Sequence, residues 1–160
     1  MIRLGRRTGY EIKQLVDVST RFFWAASYGQ IYPELRRLEE QGLIRGRDAA
    51  TNGRARREYD LTPAGDEALD AWLRSDEPLT LETRDEGLLK LFFSDRLAPD
   101  EHRALLRSMC ERHEAIVVSL ESIEDAAREK GGGPYEVLRF GLAYHSFCAE
   151  RLAEMESEVT

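Results

Sequence analysis

Several things that define other protein classes are scarce or missing in this chain. Two cysteines in 160 residues, Cys110 and Cys148, are too few for a disulfide framework and suit a reducing compartment. No apolar run approaches the ~18 residues of a membrane span. The opening Met1-Ile2-Arg3-Leu4-Gly5-Arg6-Arg7 lacks the apolar stretch of a secretory signal. A cytoplasmic location without a membrane partner is therefore expected. Catalytic signatures are missing too. There is no G-x-S-x-G elbow, and the one glycine cluster, Lys130 to Pro134, follows a helical pattern and ends in proline. Carboxylates are plentiful but spread over solvated helix faces. Neither an enzyme nor a cofactor is expected.

Charge, by contrast, is abundant. Charged residues make up 33% and apolar residues 42% of the chain, a balance that suits a helix-rich domain. The net charge of -7 hides an asymmetry. Residues 1–62 hold 12 Lys+Arg against 8 Asp+Glu, whereas residues 63–160 hold 11 against 22. A basic front and an acidic rear is the distribution of a chain whose first part meets phosphate.

The front half reads as a succession of short elements. From Gly9 to about Ser19, Ile12, Leu15 and Val16 mark the buried side of a helix. "TRFFWAAS" follows, and its three adjacent aromatics predict a wedged turn. Ser27-Tyr28-Gly29-Gln30 fits the S-x-x-Q capping box that opens a second helix. Ile31, Leu35 and Leu38 form its inward stripe, and Gly42 stops it. Pro33 leaves two readings: an irregular first turn, or a helix that starts only near Tyr32. Beyond Gly42 the period drops to two. "LIRGR" and "RREYDL" predict a β-hairpin around "DAATNG", with Arg45, Arg47, Arg54, Arg56 and Arg57 upon it. Thr62 caps a third helix with Pro63 at its first position and Leu69, Trp72 and Leu73 on its apolar side.

Helix, turn, helix, basic hairpin, helix is the order of a winged helix-turn-helix. In that module the start of the second helix reads base edges in the major groove, and Gln pairs with adenine. The wing arginines lie against phosphates or an adjacent minor groove. A protein-interaction module on the same fold is the alternative, as is a ligand-binding regulator with weak DNA binding.

The residues "TGYEIKQLVD…FFWAASYGQIYPELRRLEEQGLI…GRARREYDLTPAGDEAL" closely resemble the PadR family of transcriptional regulators. The likeness covers roughly Thr8 to Leu73. It implies a homodimeric winged-helix regulator, usually a repressor, on an inverted-repeat DNA operator. It carries the DNA-reading helix onto Ser27, Tyr28, Gln30 and Tyr32 and the wing onto Asn52 to Arg57, including Arg54 and Arg56. Tyr10, Arg36 and Arg37 complete the candidate DNA contacts. Some relatives sense phenolic or drug-like molecules, so an aromatic small-molecule effector is implied. The family has an apolar helix before the Gly-Tyr, of which Met1 to Leu4 is all that this sequence carries.

The expected architecture is mainly α with a small β-hairpin: a winged helix-turn-helix over 1–75, its first helix truncated, and an all-helical dimerisation domain over 76–160. In the rear, Glu82 to Phe93 predicts a short helix and Pro99 opens a long one to about Lys130. His102, Leu106, Met109, His113, Ile116, Leu120, Ile123 and Ala127 repeat along it at heptad spacing. A last helix from about Tyr135 carries Val137, Gly141, Tyr144, Cys148, Leu152 and Met155 on one stripe. A homodimer built by these helices, through Leu106, Met109, His113, Ile116, Leu120, Ile123, Tyr144, Cys148 and Leu152, is preferred to an intramolecular bundle. Cys110/His113 and His145/Cys148 are spaced for a Cys₂His₂ metal site, but they lie on apolar seams where such groups are packed, so no metal is expected. Phe92, Phe93, Tyr144 and Phe147 read as core before they read as an effector cavity.

Overall fold

The structure is a computed structural model that describes residues 1–51, 54–79, 81 and 83–160, the side chains of residues 50, 51, 54 and 55 excepted. The chain forms two compact units, Met1–Leu79 and Thr80–Thr160. No helix among the described residues is long and apolar enough to cross a membrane.

In the first unit, α1 (Gly9–Val18) starts at Thr8. The Thr8 hydroxyl accepts the Glu11 N–H at 3.2 Å, and the Glu11 carboxylate accepts the N–H groups of Arg7 and Thr8 at 3.0 and 3.1 Å. This box satisfies donors that a helix start otherwise leaves orphaned. A 3-10 turn, Thr20–Phe22, leads towards α2 (Tyr28–Glu40). The aromatic wedge is only partly a wedge: Phe22 is half-buried, but Phe23 and Trp24 are exposed. Ile12, Val16, Ile31, Leu35, Ile44 and Tyr59 form the core, with Met1, Ile2, Ala26, Leu38 and Leu61 around it. Met1 and Ile2 reach it from a short 3-10 turn, Ile2–Leu4.

Gly42 ends α2 at φ 71°. Its N–H reaches the Glu39 carbonyl at 2.9 Å and the Leu43 N–H reaches Leu38 at 2.9 Å, the two bonds of a Schellman turn. The chain then enters β1 (Ile44–Thr51), paired antiparallel with β2 (Arg54–Leu61) from Ile44↔Leu61 to Thr51↔Arg54. The strands are longer than the alternation predicts: the ladder continues through Asp48-Ala49-Ala50, which reads as loop from sequence. Asn52 and Gly53 lie outside the described residues. Thr62 caps α3 (Pro63–Leu73) by accepting the Gly65 N–H at 3.0 Å. Trp72 and Leu73, expected inward, are exposed in this unit.

In the second unit, Asp85 caps α4 (Glu86–Phe92), its carboxylate accepting the N–H groups of Gly87 and Leu88 at 2.8 and 3.2 Å; Glu82, the start expected from sequence, lies outside the described residues. The long helix is divided into α5 (Pro99–Glu121) and α6 (Glu124–Lys130). At the break the Ser122 hydroxyl donates to the Ser119 carbonyl at 2.7 Å, and the Ile123 N–H bonds only three residues back. The glycine cluster is shorter than expected as a break. Gly131 alone interrupts the helices, and α7 (Gly132–Glu158) begins at once. Pro134 is tolerated in its first turn because no N–H is needed there.

α5 and α7 pack antiparallel, as Arg107–Glu156, Cys110–Ala149 and His113–His145 show. Leu106, Met109, Cys110, Ala149 and Leu152 form the core. The buried stripe of α7 is Leu138, His145, Ala149 and Leu152, rotated by one residue from Val137, Tyr144 and Cys148.

The rings of His113 and His145 are buried and meet Nδ1 to Nδ1 at 2.8 Å. One ring donates and the other accepts, so at least one must be neutral. Burial, then the Arg112 charge, holds His113 below the usual histidine value, against the opposing pull of Asp85. Burial, then His113 and Arg112, does the same for His145. The unfolded chain thus takes up these protons more readily. Stability from the pair is complete above about pH 6.5 and declines as the pH falls below it. Amides of α5 and α7 are expected to exchange faster at pH 5.5 than at pH 7.5 after correction for intrinsic rates, and His113→Phe is expected to reduce that difference. Equal protection at both pH values in the wild type would contradict this.

Candidate nucleic-acid interface

The first turn of α2 exposes residues that its core does not use. Ser27, Tyr28, Gly29, Gln30 and Tyr32 are all exposed, while Ile31 and Leu35 are buried beneath them. Tyr28 and Tyr32 stack with ring centroids 6.0 Å apart. Lys13 of α1 stands 5.9 Å from the Tyr28 ring. Tyr32 also rests on α1 at Gly9, where a Cβ would come within 2.7 Å of its ring and push the ring aside. Tyr10 is exposed, its hydroxyl accepting from the Gln14 amide at 3.0 Å.

Gln30 is already engaged. Its Oε1 accepts the Ser27 N–H at 2.9 Å and the Ser27 hydroxyl at 3.1 Å. Pro33 lies inside α2, so the helix starts at Tyr28 and the Gly29 carbonyl lacks the N–H that residue 33 would supply. One turn on, Arg37 is held by Glu34 at 2.8 and 2.6 Å and by Gln41 at 2.9 Å. The bond from Arg37 keeps the Glu34 carboxyl below its ordinary range. Arg36 is exposed and has no ion pair among the described residues.

The register divides the hairpin as the alternation predicts. Ile44, Gly46 and Asp48 share a face with Arg57, Tyr59 and Leu61, and Arg45 and Arg47 share the other with Arg56, Glu58 and Asp60. Arg56 reaches Glu11 of α1 at 2.7 Å and lies 3.7 Å from Glu58. Arg57 binds both Glu39 of α2, at 2.6 Å, and Asp48 of β1, at 2.8 Å. Arg7, which also lends its carbonyl to the Tyr59 N–H at 2.7 Å, pairs with Asp60. The side chain of Arg54 and all of Asn52 lie outside the description. The wing arginines singled out from sequence are therefore largely balanced by carboxylates. Arg45, one of the hairpin's five, is exposed without an ion pair among the described residues. Its alternation with buried Ile44 was the available signal.

The helical unit redistributes the other candidates. Leu106, Met109, His113, Leu120 and Leu152 are buried inside the chain, and Ile116, Ile123 and Cys148 are half-buried. The heptad seam on α5 is thus spent on α7 of the same chain. Tyr144 is exposed and stacks on Phe140 at 6.4 Å. Phe92, Phe93 and Phe147 are exposed as well, so the suggested core or effector cavity among these four is not formed within the unit. Nor do the two Cys/His pairs converge: His113 turns to His145, while Cys110 donates to the Ala149 carbonyl at 3.3 Å. Among the described residues no three His, Cys, Asp or Glu side chains are grouped to hold a metal.

A helix-turn-helix pair followed by a two-stranded basic hairpin defines the winged-helix class of DNA-binding folds. Residues 1–71 match the transcriptional regulator PadR-like family, and residues 83–159 match the virulence activator alpha C-terminal family. The negative transcriptional regulator PadR of Bacillus subtilis is 30% identical over 122 residues, which cover 76% of this chain and 67% of that protein. The crystal structure of Bacillus subtilis PadR in complex with operator DNA superposes with a TM-score of 0.84 at 25% identity, over 96% of this chain and 91% of that one. The same protein in complex with p-coumaric acid gives 0.74 at 26% identity, over 95% and 89%. The chain belongs to the PadR-like family of transcriptional regulators.

Proposed function

We propose that the protein is a homodimeric repressor that binds an inverted-repeat operator, with the first turn of α2 in the major groove and the hairpin on the flanking backbone. The observation that carries this reading is the exposed set Tyr28, Gln30, Tyr32 and Arg36, set on a helix whose buried side is complete without them. Phosphate contacts fall first to Arg36 and Arg45, whose charges have no partner among the described residues. Arg56 joins them by releasing Glu11, to which a single hydrogen bond ties it. Ser27 and Tyr10 border the same surface, and Arg37, tied to Glu34 and Gln41, supports it without leaving them. The Bacillus subtilis relative is a negative transcriptional regulator with an operator DNA complex, and an aromatic acid is the effector class that its p-coumaric acid complex suggests. Operator binding like that of the bacterial relative places the proposed repressor in the cytoplasm.

Gln30 has a restricted part in this reading. With Oε1 occupied by the cap, its amide nitrogen is free only to donate. It then suits acceptors such as guanine N7 or O6, thymine O4 or a phosphate, rather than the two-way bond to adenine expected from sequence. Gln30→Glu separates the two roles, because Glu keeps the capping box but loses the donor. Thermal stability is expected to change by less than about 0.5 kcal/mol, while affinity in a mobility-shift titration falls about tenfold or more. Unchanged affinity would remove this turn from the interface.

For the homodimer, the favoured surface is the side of the helices left uncovered rather than the buried seam. Val137, Phe140, Tyr144 and Phe147 recur at helical spacing along α7, exposed at 46, 72, 50 and 64%. Leu88, Leu89 and Phe92 on α4, and Phe93 just past it, expose more apolar surface. Apolar surface of this extent marks an interaction site. Sedimentation is expected to show twice the 18.3 kDa chain mass for the wild type and a monomer for Phe140→Lys with Phe147→Lys. A double variant that stays dimeric would move the interface elsewhere.

A further inference from the structure

We propose that Arg57 is a positioning residue: it pins the wing to the recognition helix and does not neutralise DNA phosphate. The inference rests on the DNA-binding reading above and sharpens it. All three guanidinium nitrogens are committed. Nη2 and Nε donate to the two oxygens of Glu39 at 2.6 and 3.3 Å, and Nη1 donates to Asp48 at 2.8 Å. Glu39 lies in the last turn of α2, Asp48 on β1 and Arg57 on β2, so one side chain joins three elements. Glu39 adds a further tie, because its Oε1 also accepts the Gly46 N–H of β1 at 2.9 Å.

The site is shaped for this arrangement. A Cβ on Gly46 would lie 2.6 Å from Arg57 Nε, 2.6 Å from Glu39 Oε1 and 2.9 Å from Arg57 Cζ. The guanidinium crosses the strand through the space that glycine leaves. It also lies 6.0 Å from the ring centroid of buried Tyr59. Two carboxylates around one guanidinium give this corner a net negative charge, which repels phosphate instead of releasing counterions. Lysine would carry the charge but has no planar fork to bridge Glu39 and Asp48. Arg45 is the contrasting case, on the opposite face of the hairpin and without an ion pair among the described residues.

The test is a set of anisotropy titrations over a salt series, using a duplex that the wild-type protein enriches from a randomised pool. Arg45→Ala is expected to flatten the slope of log K against log salt by about 0.9 per protomer. The charge-balanced double variant Arg57→Gln with Glu39→Gln is expected to keep the wild-type slope, while its preference for the enriched duplex over unselected DNA falls about tenfold. Arg57→Lys, with its charge intact, is expected to lose preference in the same way. Flattening by the double variant as large as that of Arg45→Ala, or wild-type preference in Arg57→Lys, overturns the proposal. A measurement without DNA separates this from the parent reading. In the free double variant the Gly46 amide is expected to exchange about tenfold faster, and unchanged exchange refutes the pin. Failure of the wild type to enrich any duplex overturns the DNA-binding reading and the positioning role with it, whatever the exchange result.

Discussion

The winged unit depends on one carbonyl, that of Leu43. Once Gly42 has turned α2 back on itself, the Leu43 oxygen accepts the Thr62 N–H at 3.1 Å, and the Thr62 hydroxyl donates between the Gly42 and Leu43 oxygens at 2.7 and 3.0 Å. Gly65 in the first turn of α3 lies so close that a Cβ there would come within 1.9 Å of that oxygen. The end of α2, the root of the hairpin and the start of α3 therefore converge on one point that no bulkier residue at position 65 would permit. Ile44 and Leu61, the first ladder pair, spring from the same junction. Whatever angle the wing takes towards α2 is set here, and the Glu39–Arg57–Asp48 bridge holds it further out along the strands.

The helical unit is governed by a different constraint, the two-sidedness of its helices. α5 and α7 bury one stripe each against the other, with Leu106 wholly enclosed. α7 still carries a second apolar stripe from Val137 to Phe147 on its exposed side. The first stripe makes the unit fold; the second is the surface proposed above for association between chains. An antiparallel pair whose centre is a histidine contact adds a dependence on protonation to the fold of the same unit.

The winged unit was legible because its signals are local. Ser27 with Gln30, Gly42, and Thr62 with Pro63 each mark an element end through chemistry confined to a few residues, and the structure uses each of them there. The PadR resemblance rests on those same residues. The partners of the wing arginines were not legible, because Glu11 is 45 residues from Arg56 and Glu39 is 18 from Arg57. Such ion pairs become visible only once strand register and helix approach are known. In the rear half, periodicity identified the buried positions of α5 but not what covers them, since a heptad stripe looks the same against α7 as against a second chain. On α7 the stripe was displaced by one residue: Tyr144 and His145 both suit a seam, and only packing against His113 selects His145. Gln30 was legible both as capping acceptor and as candidate reader, but that the cap occupies its Oε1 shows only in the structure.

The central claim is that two copies of α2 and its hairpin read one operator together. Hydroxyl-radical footprinting on a duplex enriched by the protein tests it most directly. The account predicts two protected patches on one face of the duplex, related by the symmetry of the site and centred about 10 base pairs, or a multiple of that, apart. A single patch without symmetry, or protection that does not recur with the helical repeat, would contradict it.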